Sequence, residues 1–473
     1  MKNREIDKSK LVLYRKTSEK LHDQPLETKE IGYYQDSWNR FKKNRASLIA
    51  FIIILVLLFF IAFGPLMKKY DLPQRSSAEA QRLDNIVPKI PVLEKIGIFD
   101  GTKTVTRGKR FLIALAKSDF GEGVIISGMP DELLDDDPTN DSEWDNITEL
   151  TVKVDYYRYK NFIVSYMPTN YFQIIDENDR NGTNNDPLAG VTRTINQARY
   201  DQYVEKNYII DVLSVTPITN TQTSEVTYEY RVRYDQFKVA LDQTPDDTYF
   251  WWGTNVRGED LFLEVWKGAR ISLIMAVAVL IINYTIGLTV GAIVGYYGGI
   301  LDLLFDRLVE IITSIPFLSV LMLLTLRFGT KMWVIVLAFT ATGWIGPYST
   351  GRLQFYRFKN REYVLAARTL GASDRRIMFK HIFPNTLGLI ITGMALAIPS
   401  FVFTESTYAF LDIIKYENAT SIGMLIQEGQ AVMHQNPHLI LFPSLYIATL
   451  MISFNLFGNG LRDAFNPSLR GVE

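Results

Sequence analysis

The 473-residue chain contains no cysteine and only four histidines: His22, His381, His434 and His438. Without cysteine there are no disulfides, thiolate metal sites or cysteine nucleophiles. Only His434 and His438 have metal-like spacing, but Pro437 lies between them and no carboxylate completes an HExxH pattern. Two ordinary interfacial histidines is the plainer reading, and no metal site is expected. An excess of either charge is also missing. Fifty Lys and Arg face 51 Asp and Glu, so net charge points to no nucleic-acid partner. No GxxxxGK[ST] loop is present, so the chain carries no recognisable nucleotide site. No GxSxG is present, nor any nucleophile with a plausible base, which argues against a membrane-embedded enzyme. No repeat of 20–50 residue period appears.

What is abundant is segregated hydrophobicity. Ser47–Met67, "SLIAFIIILVLLFFIAFGPLM", has no charge and is long enough to cross a hydrocarbon core as a helix. It follows more than about forty mostly polar residues and exceeds a signal-peptide core, so an anchor is expected. Further spans are predicted at Ile271–Gly295, Glu310–Leu326, Met332–Tyr348, Leu387–Phe403 and Leu439–Phe457, which makes six. Gly287, Gly291 and Gly295 have the spacing that lets two membrane helices approach closely.

Basic residues set the orientation. The N-terminal tail, residues 1–46, ends in "RFKKNR" and is expected in the cytoplasm. Counting crossings places the loop 351–385 inside as well, and it holds eight Lys or Arg against two acids. The C-terminal tail, 458–473, also falls inside. Residues 68–250 fall outside and carry about 30 acids against about 21 bases, as expected of a translocated segment. There the runs Glu149–Tyr157, Lys160–Met167 and Ser224–Tyr234 alternate as strands do. Turn-rich stretches separate them, so a β-rich inserted domain is predicted between the first two spans, followed by a juxtamembrane segment at 251–270. "NIT" and "NGT" match the glycosylation pattern but read as turns.

The inner loop contains "EYVLAARTLGASDRRIMFKHIFPN" (Glu362–Asn385). Its first run favours a helix with Tyr363, Ala367 and Leu370 on one side, Val364 and Ala366 flanking, and Arg361, Glu362 and Arg368 on the border. Gly371 suits a C′ position. Ser373 is placed to cap a second short helix with Asp374 near its positive end. Pro384 is expected to end that helix and Asn385 to cap the next span. So short a helix is marginal alone and needs a surface. A protein partner and the lipid headgroups are, on physics alone, equally good surfaces.

The segment resembles the cytoplasmic "EAA" signature of ABC importer permeases, and most closely the peptide-importer branch, the OppC/DppC-type permease subunits. "WWGTNVRGEDLFLEVWKGARISL", "GAIVGYYGGILDLLFDRLVEIITSIP", "IPSFVFTESTYAFLDI" and "FNLFGNGLRDAFNPSLR" are similar to further stretches of that branch, in the same order. The resemblance covers the first span and nearly everything from Trp251 onward. It departs at Asn255 and Glu259, which replace an Asp and an Arg, and at Asp412-Ile-Ile, which replaces Gly-Leu-Gly and is expected to loosen the outer end of the fifth span. It does not explain the long insert.

The resemblance implies an all-α membrane protein with six transmembrane helices, a MetI-like type I ABC importer permease, here with the β-rich extracytoplasmic domain inserted between helices 1 and 2. The permease core is then residues 271–457. It implies a bacterial cell membrane location with both termini cytoplasmic. Implied partners are a second homologous permease, two ATP-binding subunits that use ATP and magnesium, a substrate-binding lipoprotein and the bilayer. It also implies that the chain itself binds no cofactor and is not an enzyme. Its cargo would be oligopeptides or dipeptides, with nickel or another small solute as the alternative. Glu362, Tyr363, Ala366, Ala367, Arg368, Leu370, Gly371, Ile382, Pro384 and Asn385 would couple to the ATPase. Asp306, Arg307, Glu310 and Glu405 are intramembrane charged candidates. For the first three a structural network is expected, and for Glu405 a contact with an inserted loop or partner permease. An exporter-type mechanotransmitter with an outer domain is the rival reading, but such proteins lack the long basic loop. A sensor is disfavoured by the short tail after the last span.

Overall fold

A computed structural model describes residues 33–70, 82–117, 121–133, 148–166, 193–219, 226–417 and 419–465. The "NIT" and "NGT" sites, most of the acidic turn-rich stretches, most of the N-terminal tail and the end of the C-terminal tail lie outside these residues.

The chain opens with α1 (Tyr33–Lys43), and α2 (Arg45–Phe63) follows after Asn44, whose side chain accepts from the Ser47 N–H at 3.2 Å. The first strand of the insert, β1 (Thr102–Gly108), leads into α3 (Lys109–Lys117) and β2 (Ile125–Ser127). β3 (Glu149–Asp155) runs into α4 (Tyr156–Asn161). Then come β4 (Arg193–Asn196), α5 (Gln197–Glu205), β5 (Ile209–Thr219), β6 (Val226–Tyr234) and α6 (Gln236–Leu241). The bundle resumes with α7 (Leu261–Tyr297), α8 (Gly299–Thr313), α9 (Phe317–Phe328) and α10 (Met332–Phe358). It closes with α11 (Glu362–Thr369), α12 (Asp374–Phe410), α13 (Ile422–Gln430) and α14 (His438–Phe465).

Among the described residues five helices are long and apolar enough to cross a membrane: α2 with its 3₁₀ extension to Leu66, α7, α10, α12 and α14. The third predicted span differs. Instead of one helix over Glu310–Leu326, α8 and α9 meet at 71°. Pro316 explains the break. It holds an extended conformation (φ −60°, ψ 128°) and has no N–H to continue α8. Four other spans are longer than predicted: α7 begins ten residues before Ile271, α12 extends at both ends, α10 continues to Phe358 and α14 to Phe465.

The glycine stripe does what its spacing predicts. A Cβ at Gly287, Gly291 or Gly295 would lie 2.3 Å from the carbonyl oxygens of Trp344, Tyr348 and Arg352, so three successive turns of α7 and α10 meet backbone to backbone. A second core joins α2, α7, α12 and α14 through Ile61, Trp266, Val402 and Leu450.

The insert is mixed α and β. Two antiparallel three-stranded sheets have orders β1-β3-β2 and β4-β6-β5. β3 alternates as predicted, with Leu150, Val152 and Val154 buried. β6 also falls within its predicted run. The expected strand at Lys160–Met167 is instead helical (α4 and a π turn, Phe162–Tyr166). Asp155 decides this, accepting from the N–H groups of Tyr157 (3.0 Å) and Arg158 (3.1 Å) and so nucleating a helix. The insert rests on the bundle. Phe99 packs on Phe442, the Lys103 ammonium donates to Asn436 Oδ1 at 2.7 Å, and the Ile86 carbonyl accepts from the Thr254 N–H. Connectivity puts this contact at the opposite end of the bundle from α11.

Candidate functional site

The loop between α10 and α12 forms a helix–glycine–helix elbow. α11 is only eight residues long, too short to persist unaided. Val364, wholly buried, holds it to the bundle among Ala292, Tyr296, Phe355, Ile377, Met378 and Ile382. Each such aliphatic burial contributes about 1.5–3 kcal/mol. The inward residue is therefore Val364, placed by the sequence at the flank. Tyr363 (40% exposed), Ala366 and Leu370 (88% exposed) point away from the protein, and Ala367 is half-buried. Glu362, Arg368, Pro384 and Asn385 are also exposed, whereas Ile382 is buried in the elbow's own core.

The turn closes as its glycine requires. Gly371 has φ +81°; its N–H donates to the Arg368 carbonyl and that of Ala372 to the Ala367 carbonyl, both at 3.0 Å. Ser373 takes the extended N-cap conformation but its side chain makes no capping bond. Asp374 instead accepts from the Tyr296 hydroxyl at 2.6 Å, and Tyr296 accepts from Arg368 at 3.2 Å. Lys359 donates to the terminal carbonyls of α7, Gly295 (3.1 Å) and Tyr296 (3.3 Å), a favourable place for a cation. The elbow is thus bolted to the end of α7.

Pro384 does not end the second helix. A π turn at Ile377–Ile382 widens the backbone just before it, and the helix runs on to Phe410. The Phe383 N–H reaches back to the Met378 carbonyl, which makes room for the proline ring. Asn385 is not a cap; its side-chain amide donates to the His381 carbonyl at 2.7 Å and approaches the Tyr363 hydroxyl at 3.5 Å.

The charged candidates separate into three environments. Asp306 pairs with Arg352 at 3.2 Å, and Arg352 also donates to Asp302 at 3.0 Å. This network joins α8 to α10, and the sequence reading missed two of its three members. Arg307 and Glu310 pair with one another at 2.6 Å on an exposed face. Glu405 has no exposed surface; Ser272 on α7 (2.9 Å) and Tyr416 in the loop after α12 (3.1 Å) donate to it. Its partners are hydroxyls of this chain rather than residues of the insert. That loop is not loosened either: Asp412, at φ +63°, takes the left-handed capping position and its N–H donates to the Ala409 carbonyl at 3.0 Å.

Asn255 and Glu259 belong to a clamp before α7. Arg257 donates to Glu259 at 2.9 Å and contacts Glu428 on α13, while Asn255 donates to Glu259 at 2.8 Å. Asp260 caps α7 by accepting from the Phe262 N–H at 2.9 Å, and burial pushes its carboxyl up to about 6. His434 is exposed and His438 is buried beside Gly253, so the two do not converge.

The arrangement offers a rigid, externally apolar knob fixed to two long helices. Residues 287–471 match the family model for the binding-protein-dependent transport system inner membrane component. Residues 32–85 match that for the N-terminal TM domain of oligopeptide transport permease C. The chain is 37% identical over 227 residues to the dipeptide transport system permease protein DppC of Bacillus subtilis (strain 168), covering 48% of this chain and 71% of that one. It is 37% identical over 241 residues to the oligopeptide transport system permease protein OppC of the same organism, covering 50% and 79%. It is 39% identical over 222 residues to the OppC of Haemophilus influenzae, covering 47% and 71%.

Proposed function

The chain belongs to the OppC/DppC family of oligopeptide and dipeptide transport permeases, and from that premise we propose that it forms half of a peptide pathway whose motor grips the α11–α12 elbow. A second, homologous permease supplies the other half. Two ATP-binding subunits hold ATP and magnesium, and a substrate-binding lipoprotein delivers the peptide. The chain is a type I, MetI-like permease that crosses a bacterial cell membrane six times, with the bent pair α8–α9 as one crossing and both termini in the cytoplasm. The basic inner loop and the acidic insert support that orientation.

The observation that carries the reading is the division of labour on α11. Val364 fastens the helix to its own bundle, while Tyr363, Ala366 and Leu370 face outward. A partner on this knob pushes on α7 through Asp374, Tyr296 and Lys359, and on α12 through the continuous helix. Closure of the ATPase pair shifts the bundle between inward- and outward-facing forms only if the ATPases bind the two forms with unequal affinity. Ala366 and Ala367 leave room for close approach, and Glu362 with Arg368 supplies a polar rim. Pro384 and Asn385 shape the second side of the cleft, and Ile382 supports it from beneath. The insert, resting on the starts of α7 and α14, is the surface offered to the lipoprotein.

The test substitutes the elbow in the intact transporter. Ala367→Asp places a charge beside the grip. Gly371→Val adds a side chain that meets nothing within 4 Å, so its cost is backbone alone, at least about 1–2 kcal/mol for a left-handed L-residue. Both are expected to abolish peptide uptake at normal membrane level, and Gly371→Asn, which tolerates that conformation, to retain most of it. Undiminished uptake by Ala367→Asp refutes the coupling role.

A further inference from the structure

Between α7 and α12 lies a cavity of about 600 Å³ that no part of the proposed peptide cycle uses. Ile281, Leu288 and Ile293 line one wall, and Leu387, Ile391 and Met394 the other. From Ile281 to Tyr297 the groove follows α7 for about 24 Å at 1.5 Å per residue. That exceeds the roughly 15 Å depth of one leaflet's hydrocarbon.

Its inner mouth is basic. Arg375 and Phe379 line it, with Arg376 and Lys380 on the adjoining turns. Among the described residues Arg375 has no carboxylate partner. The neighbouring carboxylate, Asp374, is taken by the Tyr296 and Tyr297 hydroxyls at 2.6 and 3.4 Å.

We infer that this groove holds one anionic phospholipid, with its phosphate at Arg375 and an acyl chain between α7 and α12. Two observations select this occupant. A peptide would bring a full set of backbone N–H and C=O groups into a mostly apolar wall whose few hydroxyls, on Tyr284, Thr285, Thr289 and Tyr297, cannot satisfy them all. A hydrocarbon chain brings none, and a basic pocket between helices at the cytoplasmic face suits an anionic headgroup. The groove abuts the elbow through Arg375, Met378 and Phe379, so the bound lipid is a wedge between the two helices the elbow moves.

The experiment uses the complete transporter extracted from membranes containing phosphatidylglycerol, with bound lipid quantified by mass spectrometry after detergent exchange. About one phosphatidylglycerol per permease is expected to persist in the wild type. Arg375→Gln is expected to lower retention about fivefold, the equivalent of about 1 kcal/mol per basic group. Thr289→Trp, which fills the groove from α7, is expected to lower it as well. In parallel, a photoreactive phenylalanine at Ile391 in otherwise wild-type protein is expected to capture phospholipid. Capture of the second permease instead, equal retention of phosphatidylcholine, or unchanged retention in both variants overturns the inference.

Discussion

Gly291→Ala and Gly346→Ala make the same chemical change on two helices that pack together. Alanine in a helix interior is favoured over glycine by about 0.5–1 kcal/mol. A Cβ at Gly346 meets nothing within 4 Å beyond its chain neighbours, so that variant is spared the clash, although Pro347 after it reduces the gain. A Cβ at Gly291 would lie 2.3 Å from the Tyr348 carbonyl oxygen and 2.9 Å from the Arg352 nitrogen, where ordinary contact begins at 3.4 Å. The helices must part by about 1.1 Å at this turn, and Gly287 and Gly295 hold the turns on either side. Overpacking of this kind costs about 1–3 kcal/mol, which outweighs the propensity gain. Gly291→Ala is therefore expected to lower the unfolding temperature of the purified transporter and Gly346→Ala to leave it unchanged or raise it. The assay is thermal loss of the monodisperse complex on size-exclusion chromatography, with uptake measured alongside. Equal behaviour of the two variants refutes the claim that α7 and α10 meet through their backbones.

Two further outcomes follow from charge. Arg352→Gln leaves Asp302 and Asp306, one turn apart on α8, without the cation they share; reduced transport with partial recovery by Asp302→Asn is expected, and no recovery would dissociate the pair. Burial raises Asp260 to about 6 from an unfolded value near 3.8, so the native state binds the proton more tightly. Its contribution to stability is fully present below about pH 4 and is lost as pH rises through about 6. Asp260→Asn should flatten that dependence in denaturation experiments across this window, and an unchanged slope would assign it elsewhere.

Features governed by local pattern were legible in the sequence. Alternation announced β3, small residues every fourth position announced a close helix contact on α7 without naming its partner, and Gly371 announced the turn after α11. Features set by a competing local signal were misread. Lys160–Met167 alternates like a strand, but the cap at Asp155 commits it to helix. Pro384 reads as a stop, yet a π turn absorbs it, and hydropathy ran across Pro316 where the backbone breaks. Which residue of α11 faces inward depended on where α7 and α10 end, so the periodicity named the helix but did not single out Val364 as the residue that fastens it. Arg352 and Asp302 are 50 positions apart, a pairing that single-sequence patterns do not reveal.

α7 is a single 37-residue helix, about 55 Å long and nearly twice the roughly 30 Å of hydrocarbon it crosses. Its first turn is clamped beneath the insert and its last is tied to the elbow. A rod of that kind pivots as a lever. A small tilt at the elbow end therefore swings the far end through an arc, and on the proposed orientation the insert becomes the natural place for a spectroscopic label that reads that tilt.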